Sequence, residues 1–149
     1  MNVPPQVASF VTAIDHVGVA VHDLDAAIEF YGKAFGMKLV HQETNEEQGV
    51  REAMVAVGDS GSCFQILSPL REDSPIGKFL SRQGEGIQQV ALRVTDVELA
   101  AASLKSAGVR VLYDAPKRGT AGSRVNFAHP KDCGGVLIEL VEPAADGGH

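Results

Sequence analysis

An eight-residue stretch that occurs twice restricts this chain to few architectures. Ile14-Asp15-His16-Val17-Gly18-Val19-Ala20-Val21 returns in altered form as Ile87-Gln88-Gln89-Val90-Ala91-Leu92-Arg93-Val94. The offset is constant: His16 plus 73 gives Gln89, and Val21 plus 73 gives Val94. The likeness continues beyond these eight residues. Asp23 and Asp96 each open an apolar-periodic run, and the runs end at Gly36 and Gly108. A second pair, Gln65-Ile66-Leu67-Ser68-Pro69 and Glu139-Leu140-Val141-Glu142-Pro143, matches at 65 plus 74. A repeat of this length predicts one module used twice, since a single unit cannot bury its own apolar face.

The strand and helix signals fall in the same order in both halves. Residues 14–21 alternate as a strand. Asp23 is placed to cap a helix carrying Leu24, Ala27, Ile28, Tyr31 and Phe35 at helical spacing, closed by Gly36. Strands are expected from Met37 to Glu43, Val50 to Val57 and Ser62 to Ser68. The second half repeats this with strand 87–94, helix 96–107 and strands 109–113, 124–128 and 135–141, with a long loop from Asp114 to Gly122. Between the halves, Ser74-Pro75 starts a short helix, Ile76 to Arg82, with Pro in its first turn. The expected domain is 12–143, made of module 13–68 and module 86–143 joined by connector 69–85. Flexible termini are expected at 1–11 and 144–149.

Composition narrows the partners. With 149 residues, 44% of them apolar and 21% charged, the chain reads as an ordinary globule. A core burying roughly 68–70% of the unfolded surface is within reach at this length. No apolar run is long enough to span a membrane. Met1 to Phe10 has no basic residue ahead of its apolar ones, so no secretory signal is read and the cytoplasm is the expected compartment. Cys63 and Cys133 form no CxxC pair and are expected as reduced thiols. The net charge of −6 and the lack of a Lys/Arg stripe argue against nucleic acid as a partner.

Four polar residues then need explaining. Side chains alternate along a strand, so Val17, Val19 and Val21 share one face while Ile14, His16, Gly18 and Ala20 share the other. Val90, Leu92 and Val94 likewise oppose Ile87, Gln89, Ala91 and Arg93. The aliphatic faces can pack under each module's own helix. If the modules put their polar faces together, His16, Gln65, Gln89 and Glu139 converge. One imidazole nitrogen, two amide oxygens and one carboxylate suit a six-coordinate divalent ion with two positions left over. They fit structural zinc poorly. The alternative is a set of core residues hydrogen-bonded to one another. Glu52 is also open to two readings. On a face with Met54 it would lose solvation, which raises a carboxyl pKa and suits a general base. Equally, it could be a rim glutamate paired with Arg51 or another cation. Counting by 74 makes Asn126 its counterpart, which cannot titrate.

Several stretches carry a resemblance to a known family: Ala13 to Val21, Asn45-Glu46-Glu47-Gln48-Gly49-Val50-Arg51-Glu52-Ala53-Met54, Gln65 to Leu70, Gly108 to Asp114, Gly119-Thr120-Ala121-Gly122-Ser123-Arg124 through Lys131, and Gly135 to Leu140. On these the chain resembles the vicinal oxygen chelate superfamily and, within it, the methylmalonyl-CoA epimerase family. The resemblance implies an α+β fold in which two tandem βαβββ modules form a cupped mixed sheet around a metal site, usually in a homodimer. It implies interconversion of (2R)- and (2S)-methylmalonyl-CoA through an enolate-like intermediate. His16, Gln65 and Glu139 match metal ligands, and Glu52 and Glu139 match the two proton-transfer carboxylates. The family commonly has His-His where this chain has Gln88-Gln89, so Gln89 would ligate through its amide oxygen. The implied cofactor is a divalent ion, cobalt first, with manganese, nickel, magnesium or zinc as alternatives. The implied partner is an acyl-CoA, whose phosphates Lys117 and Arg118 could meet; a solvated basic loop is the plainer reading of those two. Rival functions on the same fold are a glyoxalase-type lyase, which would favour glutamate at position 65, and a metal-free drug-binding protein.

Overall fold

The computed structural model describes residues 10–145. They form an α+β fold in two compact units, one made of His16–Gln88 and the other of the chain up to Asp15 together with everything from Gln89 on. The expected flexible stretches 1–9 and 146–149 lie outside the described residues. No described helix is long and apolar enough to cross a membrane.

The first module runs β1 (Val11–Ala20), α1 (Leu24–Phe35), β2 (Lys38–Asn45), β3 (Val50–Ala56) and β4 (Cys63–Pro69). Its strands lie in the order β2-β3-β4-β1, with β1 parallel to β4 and the other neighbours antiparallel. Helix α1 starts where the sequence places it, because the Asp23 carboxylate accepts the Ala26 N–H at 3.0 Å. It stops at Gly36, whose φ of 70° is open to glycine at little cost, with the Met37 N–H returning to the Tyr31 carbonyl at 3.2 Å. Leu24, Ala27, Ile28 and Tyr31 pack on Val17, Val19, Val21, Ala53, Val55, Phe64 and Ile66. The aliphatic face of β1 is therefore core, as its alternation requires. Phe35 is the exception in the helical stripe. It is 66% exposed, and its ring meets Phe30 at 5.9 Å rather than the sheet.

The connector builds α2 (Pro75–Gln83). Ser74 Oγ accepts the Gly77 N–H and donates to the Arg71 carbonyl, which fixes the entry. Gly77 is obligatory for a steric reason: a Cβ there would lie 2.5 Å from the carbonyl oxygens of Arg71 and Glu72. Ile76 and Leu80 cover Ala20, Val50 and Leu67. So the connector closes one end of the face that carries the polar residues of the first module.

The second module runs β5 (Gly86–Val94), α3 (Val97–Ser106), β6 (Lys117–Arg118), β7 (Arg124–Ala128) and β8 (Ile138–Glu142), in the order β5-β8-β7-β6. Asp96 caps α3 by accepting the Leu99 N–H at 3.0 Å. Val97, Ala100 and Leu104 pack on Val94, Ile138, Leu140, Phe10 and Val11. Phe10 and Val11, expected in the flexible lead-in, thus contribute to packing, and β1 already begins at Val11.

Two local expectations fail for identifiable reasons. The strand expected at 109–113 is reduced to an isolated bridge between Val111 and Ala128. The Asn126 side chain takes both backbone groups of Tyr113, accepting its N–H and donating to its carbonyl, so the ladder ends there. The third strand of this module is instead the short β6, inside the expected loop. Asn126 is also not the counterpart of Glu52. Gln65 lies opposite Met54, whereas Glu139 lies opposite Phe127. The repeat is therefore one residue out of step in this strand, and Val125 takes the place of Glu52. A slip of one residue changes the face, which is why Asn126 serves the backbone of Tyr113.

Candidate active site

In the first module three polar side chains share one face. Gln65 lies opposite Gly18 on β1 and Met54 on β3, while His16 lies two residues before Gly18 and Glu52 two before Met54. Opposite residues and residues two apart point the same way. All three are buried. Gln65 Nε2 donates to Glu52 Oε2 at 3.0 Å. The geometry removes the rim reading of Glu52. It is 4% exposed, so it is no rim residue, and Arg51 pairs with Asp25 at 3.6 Å. A carboxylate taken out of water needs such a donor, and a hydrogen bond to a charged group contributes about 1.5–3 kcal/mol.

In the second module Glu139 lies opposite Ala91 on β5 and Phe127 on β7, with Gln89 two residues before Ala91. Gln89 and Glu139 are both buried, and Gln89 Nε2 donates to Glu139 Oε1 at 3.0 Å. Ala91, Val125, Phe127 and Val141 form the apolar cluster beside them. Each module thus holds one buried carboxylate against one buried amide.

The donor chemistry fits a hard divalent ion. An amide facing a carboxylate must turn its NH2 toward it, which leaves the carbonyl oxygen as the group's other polar atom. The first unit offers the Gln65 amide oxygen and an imidazole nitrogen of His16, and the second offers the Gln89 amide oxygen and the Glu139 carboxylate, donors of the kind such an ion takes. No cluster of three or more His, Cys, Asp or Glu side chains able to hold a metal occurs among the described residues. Two of the four expected ligands are glutamines, so this set would not form such a cluster.

Lys117 and Arg118 are exposed on β6. Lys117 lies opposite Val125 and Arg118 opposite Arg124, so the two point to different faces. Lys117 Nζ sits 4.3 Å from the centre of the Tyr113 ring. The sequence reading missed the pair formed by Asp15 and Arg93. Arg93 Nε donates to Asp15 Oδ2 at 2.8 Å, and Asp15 has no solvent exposure. An acidic residue inside an apolar strand was the available signal. Thr120 and Ser123 are also buried, in a turn where Ala121 adopts a φ of 56°.

The Glyoxalase/Bleomycin resistance protein/Dioxygenase superfamily model matches residues 15–127. A solved methylmalonyl-CoA epimerase from Mycobacterium tuberculosis is 56% identical with a TM-score of 0.89, covering 92% of this chain and 91% of that one. A variant of the Streptomyces coelicolor methylmalonyl-CoA epimerase, solved with 2-nitronate-propionyl-CoA, is 52% identical with a TM-score of 0.88, over 91% and 99% of the two chains. The ethylmalonyl-CoA/methylmalonyl-CoA epimerase of Cereibacter sphaeroides is 36% identical over 129 residues, 85% of this chain and 95% of that protein. The chain belongs to the Glyoxalase/Bleomycin resistance protein/Dioxygenase superfamily.

Proposed function

We propose that this chain is an enzyme that interconverts (2R)- and (2S)-methylmalonyl-CoA by removing the C2 proton from one face and returning a proton on the other. The observation that carries this is the likeness to solved methylmalonyl-CoA epimerases at 52–56% identity over at least 91% of the chain. The site residues support it chemically, since each module supplies a buried carboxylate held by an amide.

In this reading Glu52 takes the proton in one direction and Glu139 delivers it, with roles exchanged in the other. The Gln65 N–H donates to Glu52 Oε2 and so helps to fix the orientation of that carboxylate. Members of the superfamily generally use a divalent metal ion. Here His16, Gln65, Gln89 and Glu139 would hold it, and it would supply Lewis acidity at the thioester oxygen. Cobalt is the first choice, with manganese, nickel, magnesium or zinc as alternatives. Lys117 and Arg118 are proposed to meet CoA phosphates, a homodimer is the proposed assembly and the cytoplasm the proposed compartment. The Cereibacter sphaeroides relative is named for ethylmalonyl-CoA as well, so a slightly longer C2 substituent belongs in the substrate range to be tested.

The test starts from one resolved epimer. Metal-loaded protein should bring it to a mixture of both, read by chiral separation, while the protein-free control stays behind. No acceleration with any of the five ions rules the reading out.

A further inference from the structure

The register of the two modules is the same between first and last strand. Gly18 lies opposite Gln65 as Ala91 lies opposite Glu139, and His16 precedes Gly18 by two residues as Gln89 precedes Ala91. Gln89 and Glu139 are therefore the register counterparts of His16 and Gln65. The amide–carboxylate bonds do not follow that correspondence. In the first module the carboxylate comes from β3 and the amide from β4. In the second the carboxylate comes from β8 and the amide from β5. The β7 position that matches Glu52 is Val125, which has nothing to offer. Both bonds nevertheless measure 3.0 Å between buried groups. Duplication alone would have copied one arrangement; here the same bond is built at non-equivalent positions.

We propose that Gln89 is the positioning residue of Glu139. Its N–H holds Glu139 Oε1 and thereby sets the direction of the other carboxylate oxygen, a duty separable from lending Gln89 Oε1 to an ion. A primary amide can do both at once, because donor and acceptor sit on one planar group. This rests on the reaction proposed above and adds a role that ligation alone does not require.

Gln89→Glu separates the two duties. It keeps the size and the oxygen, removes the N–H and sets a second carboxylate beside Glu139. Its kcat is expected to fall about 10–100-fold, the usual loss when a group that orients a ligand or catalytic residue is removed. KM should stay near the parent value. Divalent-ion affinity, measured by calorimetry without substrate, should equal or exceed the parent's. Gln89→His keeps an N–H and should retain kcat within about tenfold; Gln89→Leu keeps none and should lose it. That second comparison decides the matter if Gln89→Glu does not fold. Parental kcat in Gln89→Glu, or equal losses in Gln89→His and Gln89→Leu, would overturn the proposal. A parent chain without epimerase activity would count against the reaction instead. The bond is then read directly: the Gln89 side-chain NH2 resonance should move in Glu139→Gln, and an unmoved resonance contradicts it.

Discussion

Gln65 and Glu52 are joined by a 3.0 Å hydrogen bond across neighbouring antiparallel strands, and both are buried. The bond makes Glu52 a placed carboxylate rather than a surface charge. Replacing it isosterically by Glu52→Gln removes the proton acceptor without changing volume. Turnover should fall about 10²–10⁴-fold, the usual contribution of a positioned acid or base. Metal content, measured by elemental analysis, should be unchanged. Retained epimerisation would take Glu52 out of the reaction.

The same bond has a stability consequence. Gln65→Leu leaves Glu52 buried without this donor, which should cost about 1–3 kcal/mol in urea unfolding. Adding Glu52→Leu should recover part of the loss, because neighbouring groups in one network are not additive. A double variant at the sum of the singles would show that the pair is not coupled.

Arg93 and Asp15 give a sharper test of packing. Asp15 has no exposure, whereas Arg93 remains 33% exposed. Arg93→Met leaves the aspartate buried and without this guanidinium. Because Arg93 meets solvent, the expected cost lies near about 3 kcal/mol, the low end for a broken buried pair. Equilibrium denaturation reads it, and a change below about 0.5 kcal/mol contradicts the assignment of this pair to the core.

Arg110 holds Asp132 in a fork, with Nε 2.9 Å from Oδ2 and Nη2 3.1 Å from Oδ1, and its backbone N–H adds a third bond. The Arg110 side-chain hydrogen bond is the main reason the Asp132 carboxyl is lowered to about 2. A carboxylate depressed in the folded state stabilises it above the ordinary carboxylate range and stops doing so as pH falls through the folded value. Melting temperatures should therefore drop between about pH 4 and pH 2 more steeply in the parent than in Asp132→Asn. Equal slopes would show that the pair adds nothing.

The modules were legible because strand alternation and helix caps are local. Asp23, Gly36, Ser74 and Asp96 act where the sequence placed them. His16, Gln65, Gln89 and Glu139 were found because polar residues stood at repeated positions in apolar strands. What stayed hidden was pairwise. Counting residues made Asn126 the partner of Glu52, and only the strand register reveals the one-residue slip. The strand at 109–113 was lost to a side chain thirteen residues from Tyr113. Glu52 and Arg51 are neighbours in sequence but sit on opposite faces, so their apparent ion pair never forms. Nor could spacing show that each glutamate would be held by an amide.

Proton NMR of methylmalonyl-CoA in D₂O with metal-loaded protein tests the central claim most directly. The C2 proton signal should disappear far faster than in the protein-free control, with no new product. A C2 signal that decays at the control rate with cobalt, manganese, nickel, magnesium and zinc alike would contradict it.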